Sequence, residues 1–521
     1  AASDVYKRQD DDETVYGHGG GGPGVHAIGL WRTDGLGFFW FSNKDPLVDD
    51  FDEFPEIGSW PEHDLWESVG ISTEPVGSAP VESWIPVVAH SDGVGGSTWR
   101  SDVGLLNRSP VPNRVRLRYR HGFFSFEDRE LELAPGAART ISDVVAEIGE
   151  HGSGPLQVFS SEPLTVTSRT HNQTSEGSYG QSLDGVTATG GLEQGESAVL
   201  MYLREDDLFR SNIGVHNQWR RSARVEVALY SGDGSLLAAF NRWVPPQSTA
   251  QINRPFRTIV TSGYAVITVL SGQDVYVYGS VVDNATDDPT TIPMKVGEGS
   301  EHQWIAAAAN GEGSHGSQWR TDLCLLNRSG GGASVEVVFH SDDGDSAGMA
   351  IELDAGEQRT MEDVVSVIGR AGAGAIEIVS ERPTLVASRT YNASTGGTFG
   401  QHLEAVDAGR TARAGQTVWL PQLRQNASYR SNIGILNTGL GNAGVTLRLF
   451  DEGGEELAEK QRRIGPGERL QLQEPFGRIA GRGDLDTAYA TVTVRSGSGV
   501  VAYASVIDNV TNDPSTVSMK R

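Results

Sequence analysis

A motif of nine residues occurs four times at a spacing of 110 residues, and this repeat restricts the chain to a modular architecture. The four copies are WRSDVGLLN at 99–107, FRSNIGVHN at 209–217, WRTDLCLLN at 319–327 and YRSNIGILN at 429–437. Self-similarity at a fixed period is the sequence signature of repeated structural units. The sequence therefore predicts four copies of one domain of ~110 residues, within the usual size range of an independently folding unit.

Copies one and three resemble each other more than they resemble their neighbours, and copies two and four do the same. Residues 139–145 match residues 359–365, and residues 255–256 match residues 475–476. We therefore expect an ancestral unit of two domains that was later duplicated. The predicted domains are A1 (81–190), B1 (191–297), A2 (298–408) and B2 (409–521), which follow a linker at 73–80 that is rich in proline and small residues.

Each copy shows the pattern of an all-β domain. Apolar and polar residues alternate along the strand after each motif, and we expect the arginines of the first such strand, residues 114–120, to face water. About seven short strands per copy, with turns such as 232–234 and 452–454, predict an Ig-like β-sandwich. In the A copies a short helix is expected at 142–149, with Ser142 as its N-cap, and at 362–369. A domain of this size can bury its own core, so the sequence favours four independent domains.

Composition excludes several functions. The formal net charge of −26 argues against nucleic acid or an anionic membrane as the main partner. A single cysteine, Cys324, excludes a disulfide framework and a Cys-rich metal site. The chain contains no run of 18 apolar residues, so no transmembrane segment is expected. Arginine greatly outnumbers lysine, which indicates a bacterial, GC-rich source, and an acidic array of this kind is typical of a secreted, cell-surface or periplasmic protein.

The repeats offer few candidates for chemistry. The aromatic residue that opens each motif is predicted to anchor the core. The following Arg and Asp are predicted to pair with each other or with neighbouring backbone. The closing asparagine is predicted to form a turn. Dense carboxylates before Pro289 and Pro514 are calcium candidates, although Asx turns are expected there anyway. These candidates are Asp283, Asp287, Asp288, Asp508 and Asp513. We expect no other cofactor, and no Ser, His and Asp constellation recurs in all four copies.

The first 80 residues lie outside the repeat and carry 16 acidic against 4 basic side chains. Here the run His18-Gly19-Gly20-Gly21 precedes two strand-like segments, 27–33 and 36–43, that are joined by Asp34-Gly35. Residues 10–72 resemble the C-terminal end of the serine β-lactamase and penicillin-binding-protein family. The resemblance implies a partial α/β domain in which His18-Gly19-Gly20 is the third active-site motif. It also implies that the backbone N–H of Gly21 contributes to an oxyanion hole.

The resemblance is incomplete in ways that bear on activity. No Ser-x-x-Lys nucleophile motif occurs in the chain, and Pro46, Pro55 and Pro61 interrupt the helix that the family has at its C-terminal end. We therefore expect this chain to be catalytically inactive by itself. Residues 4–9 resemble the translated end of a transposase adaptor used in sequencing libraries. We expect residues 1–9 to be an artefact of an environmental sequence, with the export signal and the missing motifs upstream.

Two functions follow from these observations. In the first, the sandwiches are a C-terminal accessory array that spaces or attaches a secreted serine hydrolase of β-lactamase-like type. In the second, the protein is a non-enzymatic bacterial surface or adhesion protein whose repeats bind a cell-surface glycan or a protein.

Overall fold

The computed structural model describes residues 4–10, 13–22, 25–32, 37–42, 81–93, 96–122, 125–175 and 177–521. The described residues are almost entirely β-structure. No helix among them is long and apolar enough to cross a bilayer.

The first four strands form an antiparallel sheet in sequence order. They are β1 (Asp4–Asp10), β2 (Glu13–Gly22), β3 (Val25–Arg32) and β4 (Gly37–Ser42). Strands β3 and β4 pair antiparallel with Trp31 opposite Gly37, and the predicted turn residues Asp34-Gly35 lie outside the described ones. The adaptor-like segment lies in β1. The predicted C-terminal helix of the α/β fragment falls outside the described residues.

The strands of the repeats follow in chain order. In A1 they are β5 (Val81–Asp92), β6 (Thr98–Asn107), β7 (Asn113–Arg120), β8 (Phe126–Leu133), β9 (Ala138–Ile141), β10 (Gly152–Ser160), β11 (Leu164–Thr174), β12 (Gly177–Asp184) and β13 (Val186–Thr187), with helix α1 (Val144–Ile148) after β9. In B1 they are β14 (Ser197–Glu205), β15 (Phe209–Asn217), β16 (Ala223–Ser231), β17 (Leu236–Val244), β18 (Ser248–Asn253), β19 (Val260–Ser271), β20 (Val275–Asp283), β21 (Pro289–Pro293) and β22 (Lys295–Val296).

The second pair of repeats has the same order of elements. In A2 they are β23 (Ser300–Glu312), β24 (Gln318–Leu326), β25 (Ala333–Ser341), β26 (Ser346–Leu353), β27 (Gln358–Met361), α2 (Val364–Val367), β28 (Gly372–Ser394) and β29 (Gly397–Glu404). In B2 they are β30 (Ala412–Arg413), β31 (Thr417–Gln425), β32 (Tyr429–Asn437), β33 (Ala443–Asp451), β34 (Glu456–Ile464), β35 (Arg469–Gln473), α3 (Pro475–Arg478), β36 (Leu485–Ser496), β37 (Ser498–Asp508) and β38 (Pro514–Ser518). Short 3₁₀ turns occur at Ser314–Gly316 and Ala408–Arg410.

Each repeat is a β-sandwich of two antiparallel sheets, as the sequence predicts. In B1 one sheet has the order β17-β16-β19-β14-β22 and the other β18-β15-β20-β21. B2 repeats this arrangement with β34-β33-β36-β31 and β35-β32-β37-β38. In the A repeats long strands run from one sheet into the other, and β28 spans 23 residues in this way. Where the turn spacing predicts about seven strands, A1, B1 and B2 each have eight strands of four or more residues, and A2 has seven because β28 runs through both sheets.

The alternation along β7 places apolar side chains in the core, but it does not send every arginine to water. Val115 and Leu117 are buried and Arg114 is exposed, as expected. Arg118 is only 7% exposed. It makes a bidentate ion pair with Asp128 at 2.9 Å and lies 3.8 Å from the ring centroid of Phe126. The edge strand β8 supplies both Asp128 and Phe126. The alternation along β7 does not show that a neighbouring strand buries Arg118.

The helix in A1 lies where the sequence predicts it, but a different residue occupies its N-cap position. Asp143, and not Ser142, occupies the N-cap position, and its carboxylate binds His90 Nδ1 at 2.7 Å instead of capping the helix. Gly149 ends the helix with φ of 96°, a conformation that favours glycine.

The four sandwiches pack side by side in a closed ring, which differs from the independent domains expected from domain size. Contacts join β5 to β15, β14 to β24, β23 to β32 and finally β31 back to β6, so A1 touches both B1 and B2. The cores are partly shared, since Cys324 and Leu326 of A2 belong to the buried cluster of B1. The strands β12, β21, β29 and β38 meet at the centre.

Candidate binding cleft

Two buried ion pairs hold the centre of the ring together. Arg169 of A1 lies 3.1 Å from Asp513 of B2, and Arg389 of A2 lies 3.3 Å from Asp288 of B1. Both aspartates are fully buried, and each also accepts a backbone N–H at 2.8 Å from the domain of its arginine. The two contacts are therefore copies of one another, and each joins an A domain to the B domain of the other duplicated pair.

The two aspartates also touch each other. Their side chains are in hydrogen-bonding contact, and the Oδ1 atoms of Asp288 and Asp513 have no donor from the described residues. Two carboxylates in contact cannot both ionise cheaply, so one proton between them satisfies both oxygens. Burial raises the pKa of Asp288 well above its ordinary value and that of Asp513 to about 7.

The repeated motif serves contacts between domains more than the core. Phe209 is buried and lies 4.4 Å below the Arg204 guanidinium, but Trp99, Trp319 and Tyr429 remain partly exposed. The prediction of a core anchor therefore holds for Phe209 and is wrong for the two tryptophans, which line clefts between domains.

The charged residues of the motif also pair beyond their own strand. Arg100 lies 3.3 Å from Asp143 at the start of α1. Asp102 binds Arg424 of B2 at 2.8 Å across the ring. Arg100 and Asp102 do not pair with each other. The other predicted contact, with neighbouring backbone, is observed, since Arg100 Nη1 donates to the carbonyl oxygen of Trp99 at 2.7 Å.

The closing asparagines confirm the turn prediction. Asn107 donates its amide to three carbonyl oxygens, those of Val111, Leu133 and Ala134, at 2.9 to 3.2 Å, and accepts the N–H of Ser109 at 3.0 Å. Two of the other asparagines repeat this pattern, and the last one repeats it with two carbonyl oxygens instead of three. The residues are Asn217, Asn327 and Asn437.

The calcium candidates are engaged with protein donors. Asp283 accepts the N–H groups of Ala285 and Thr286 and reaches the backbone N–H of Thr398 in A2 at 2.9 Å. Asp508 makes the equivalent contacts with A1. Asp287 pairs with Arg210, and Asp288 and Asp513 form the central pair. The structure thus accounts for these carboxylates as turn and interface residues, and calcium stays a prediction.

A different group, absent from the sequence predictions, has ligand atoms close enough to surround a metal ion. It consists of His121, Glu127 and Glu150 at one end of A1. Two of the three side chains are exposed, and charged groups at the surface often meet without an ion.

The residues of the predicted hydrolase motif lie on β2. His18 is opposite Val5 of β1 and Gly29 of β3, and Gly21 pairs with His26. Residues 43–72, the rest of the segment that carries the resemblance, lie outside the described ones, and the chain contains no Ser-x-x-Lys motif. The catalytic role of the motif on β2 stays a prediction.

A cleft between A1 and B1 has a volume of about 1020 Å³. Its walls come from β5, β6, β15, β18 and β20, which are held in place by the ring contacts. The side chains that matter most for its chemistry are Trp99, Arg210, Asn212, Gln251, Tyr278 and Asp287. We call this the open cleft.

Glycines let the two aromatic rings of the open cleft lie flat on their sheets. A Cβ at Gly93 would stand 2.4 Å from Trp99 Nε1, and a Cβ at Gly214 would stand 2.2 Å from Tyr278 Cζ. Gly214 is the sixth residue of the repeated motif. A glycine at this motif position is the sequence signal that a large side chain, here Tyr278, packs against the strand.

The polar groups of the open cleft are partly unpaired. Arg210 is neutralised by Asp287 and also donates to Asn284 at 3.0 Å. The side chains of Asn212 and Tyr278 have no hydrogen-bond partner among the described residues. Burial raises the pKa of Tyr278, so its hydroxyl stays neutral. These two side chains are neutral donors and acceptors in a cleft that is also lined by the charged Asp206, Asp207 and Arg254.

The corresponding cleft between A2 and B2 has a volume of only about 240 Å³. Arg469 crosses it, with Nε 3.0 Å from Asp342 Oδ1 of A2. The same guanidinium donates to Tyr503 Oη at 2.8 Å and to Gln471 Oε1 at 3.0 Å. At the position of Arg469, B1 has Thr249. We call this the closed cleft.

No protein-family model and no curated protein matches the chain. Two solved structures resemble parts of it at 10% sequence identity. The crystal structure of Thermotoga maritima 1070 covers 21% of this chain and 95% of its own, with a TM-score of 0.18. A tetra-tandem repeat from the extending region of a large adhesion protein covers 84% of this chain and 98% of its own, with a TM-score of 0.10. Similarities of this size carry no argument about function.

Proposed function

We propose that the protein is a non-enzymatic binding protein whose open cleft takes a neutral, hydroxyl-rich ligand, an oligosaccharide. The observation that supports this most is the open cleft itself. It has about 1020 Å³ of space, and beside an aromatic ring its lining includes Asn212 and the largely buried Tyr278, whose side chains have no hydrogen-bond partner among the described residues. Ligand sites in proteins combine these features, since apolar walls supply affinity and a few polar groups fix orientation.

The side chains of the open cleft suit a sugar. The half-buried Trp99 offers an aromatic face to the C–H groups of a pyranose ring. The amides of Asn212 and Gln251 and the hydroxyl of Tyr278 both donate and accept, as sugar hydroxyls do. The charge on Arg210 is matched by Asp287, which favours a neutral ligand over an ionic one.

Titration with defined oligosaccharides tests the proposal. Isothermal titration calorimetry with chitopentaose, cellopentaose, laminaripentaose and mannopentaose is expected to give one site per chain for at least one sugar. Trp99→Ala is expected to weaken that binding at least tenfold. The matched control Trp319→Ala, in the closed cleft, is expected to leave it unchanged. The proposal is contradicted if neither substitution changes the affinity, or if none of the four sugars binds.

If the sandwiches attach a hydrolase to a surface, oligosaccharide binding by the open cleft would provide the attachment. The resemblance of residues 10–72 to the β-lactamase family supports such a role only if the missing motifs exist upstream. Sequencing the source locus in long reads tests this point, because a Ser-x-x-Lys and a Tyr-x-Asn before Tyr16 are expected from a hydrolase. Further 110-residue repeats in that place favour a surface or adhesion array.

A further inference from the structure

The two clefts are lined by the same residue types at equivalent positions. The A domains supply a tryptophan and the B domains supply an arginine, an asparagine, a glutamine and a tyrosine. The pairs are Trp99 and Trp319, Arg210 and Arg430, Asn212 and Asn432, Gln251 and Gln471, and Tyr278 and Tyr503. Duplication has therefore preserved the lining of the closed cleft.

Two other positions differ in charge, since Asp287 and Arg254 of the open cleft correspond to Asn512 and Glu474 of the closed cleft. A further difference lies in two residues at the mouth. Arg469 and Asp342 join across the closed cleft, whereas the equivalent residues of the open cleft are Thr249 and Gly122. Thr249 and Gly122 carry no charge, so they cannot form an ion pair. Thr249 instead donates to the carbonyl oxygen of Pro86 at the wall of the cleft.

The guanidinium of Arg469 occupies hydrogen-bonding positions that a ligand would use. It donates to the Tyr503 hydroxyl and to Gln471, and Tyr503 in turn donates to Gln471 at 2.8 Å. In the open cleft Tyr278 has no such partner, and Gln251 donates to Asn253 on its own strand. The arginine thus satisfies from within the chain the groups that the open cleft leaves for a ligand.

Only the carboxylate end of the closing ion pair is open to solvent, since the Arg469 side chain is 5% exposed. Asp342 is 32% exposed, so water and salt screen its attraction to Arg469. No apolar plug stands in the closed cleft among the residues that line it. Removing the pair leaves a wall that keeps the tryptophan, arginine, asparagine, glutamine and tyrosine of the open cleft.

We infer that the closed cleft is a second oligosaccharide site, which the Arg469 to Asp342 ion pair keeps shut. This inference rests on the proposed function of the open cleft, because it assigns the same ligand class to both. The chain then has one available and one latent site.

The test transfers the open-cleft residues into the closed cleft. The double variant Arg469→Thr with Asp342→Gly is titrated with the four pentasaccharides named above. For a sugar that binds the wild type at one site per chain, the variant is expected to bind at two. The reciprocal variant Thr249→Arg with Gly122→Asp is expected to close the open cleft and reduce binding at least tenfold.

A second set of variants assigns the new site. In a Trp99→Ala background, the double variant is expected to restore one site, and adding Trp319→Ala is expected to remove it. Circular dichroism and the urea midpoint show that each variant is folded. One site in both the wild type and the folded double variant overturns the inference and leaves the proposed function standing. Two sites in the wild type also overturn it, and binding by neither protein overturns both.

Discussion

The open and closed clefts are built at equivalent positions of two duplicated domain pairs, yet their volumes are about 1020 Å³ and about 240 Å³. The tryptophan, asparagine, glutamine and tyrosine of the walls are the same, and an ion pair at the mouth differs. Such an arrangement shows how a duplicated domain pair can keep its packing while one copy loses access to a site. Arg469 and Asp342 cross the closed cleft, whereas Thr249 and Gly122 stand at the equivalent positions of the first domain pair.

At the centre of the ring, in contrast to the clefts, the two duplicated pairs have the same contacts. Arg169 with Asp513 and Arg389 with Asp288 are two copies of one contact, and both copies are kept. A buried charge that loses its partner is costly, so substitutions are tolerated much less there than at a cleft mouth. Divergence between the halves is therefore expected at the clefts and not at the axis.

The largest expected effect tests whether the two central contacts are equivalent. Arg389→Met and Arg169→Met each leave a buried aspartate without its cation, and each is expected to lower the free energy of unfolding by about 3–5 kcal/mol. Urea denaturation followed by circular dichroism at pH 7.5 measures both. A small loss in one variant and a large loss in the other would show that the halves differ at the centre as well as at the clefts.

The shared proton predicts a pH dependence of stability. The pKa of Asp513 is raised to about 7 by burial, so the folded state binds this proton more tightly than the unfolded chain does. Its stabilising contribution is present below the unfolded pKa, near 4, and is lost as the pH rises through about 7. Asp513→Asn, which resembles the protonated form, is therefore expected to gain stability relative to wild type between pH 5 and pH 8.

Urea midpoints of wild type and variant over that range measure the difference. The buried histidines, whose pKa values burial lowers, are present in both proteins and cancel in the comparison. Asp288→Asn is the matched control, and the same trend is expected because the proton belongs to the pair. A difference that does not change with pH contradicts the shared proton.

Much of the fold could be predicted from the sequence because its determinants are local. The alternation of β7, the asparagine turns and the Gly149 helix end each depend on residues close in the chain. The ring could not be predicted in this way. The contact between Asp102 and Arg424 joins residues 322 positions apart, and each domain was large enough to bury a core alone.

The site was harder to predict than the fold. The repeat has a constant spacing up to Phe256 and Phe476, but five extra residues of B2 precede Tyr503, so it stands 225 and not 220 residues after Tyr278. The equivalence of the two tyrosines is clear once both are seen to rest on the motif glycines, Gly214 and Gly434. Trp99 was assigned to the core because alternation does not show which sheet face meets another domain.

The motif glycines provide an intermediate effect that separates stability from binding. An added Cβ at Gly214 or Gly434 would lie within 2.2 Å of a tyrosine ring, so Ala at either position is expected to cost about 1–3 kcal/mol of unfolding free energy. Only Gly214→Ala is expected to weaken oligosaccharide binding, since its tyrosine lines the open cleft. Denaturation and calorimetry on both variants measure this. Unchanged binding by Gly214→Ala would remove Tyr278 from the site.

The smallest expected effect examines the two tyrosine hydroxyls themselves. Tyr503→Phe removes hydrogen bonds with Arg469 and Gln471, and it is expected to lower the free energy of unfolding by about 1 kcal/mol. Tyr278→Phe removes a hydroxyl without a partner among the described residues, and it is expected to change stability by less than about 0.5 kcal/mol, as is usual away from such features. Binding should show the reverse order, with a loss in Tyr278→Phe alone. Equal stability losses in the two variants would mean that the Tyr278 hydroxyl is already satisfied within the chain, and the main chemical distinction between the clefts would disappear.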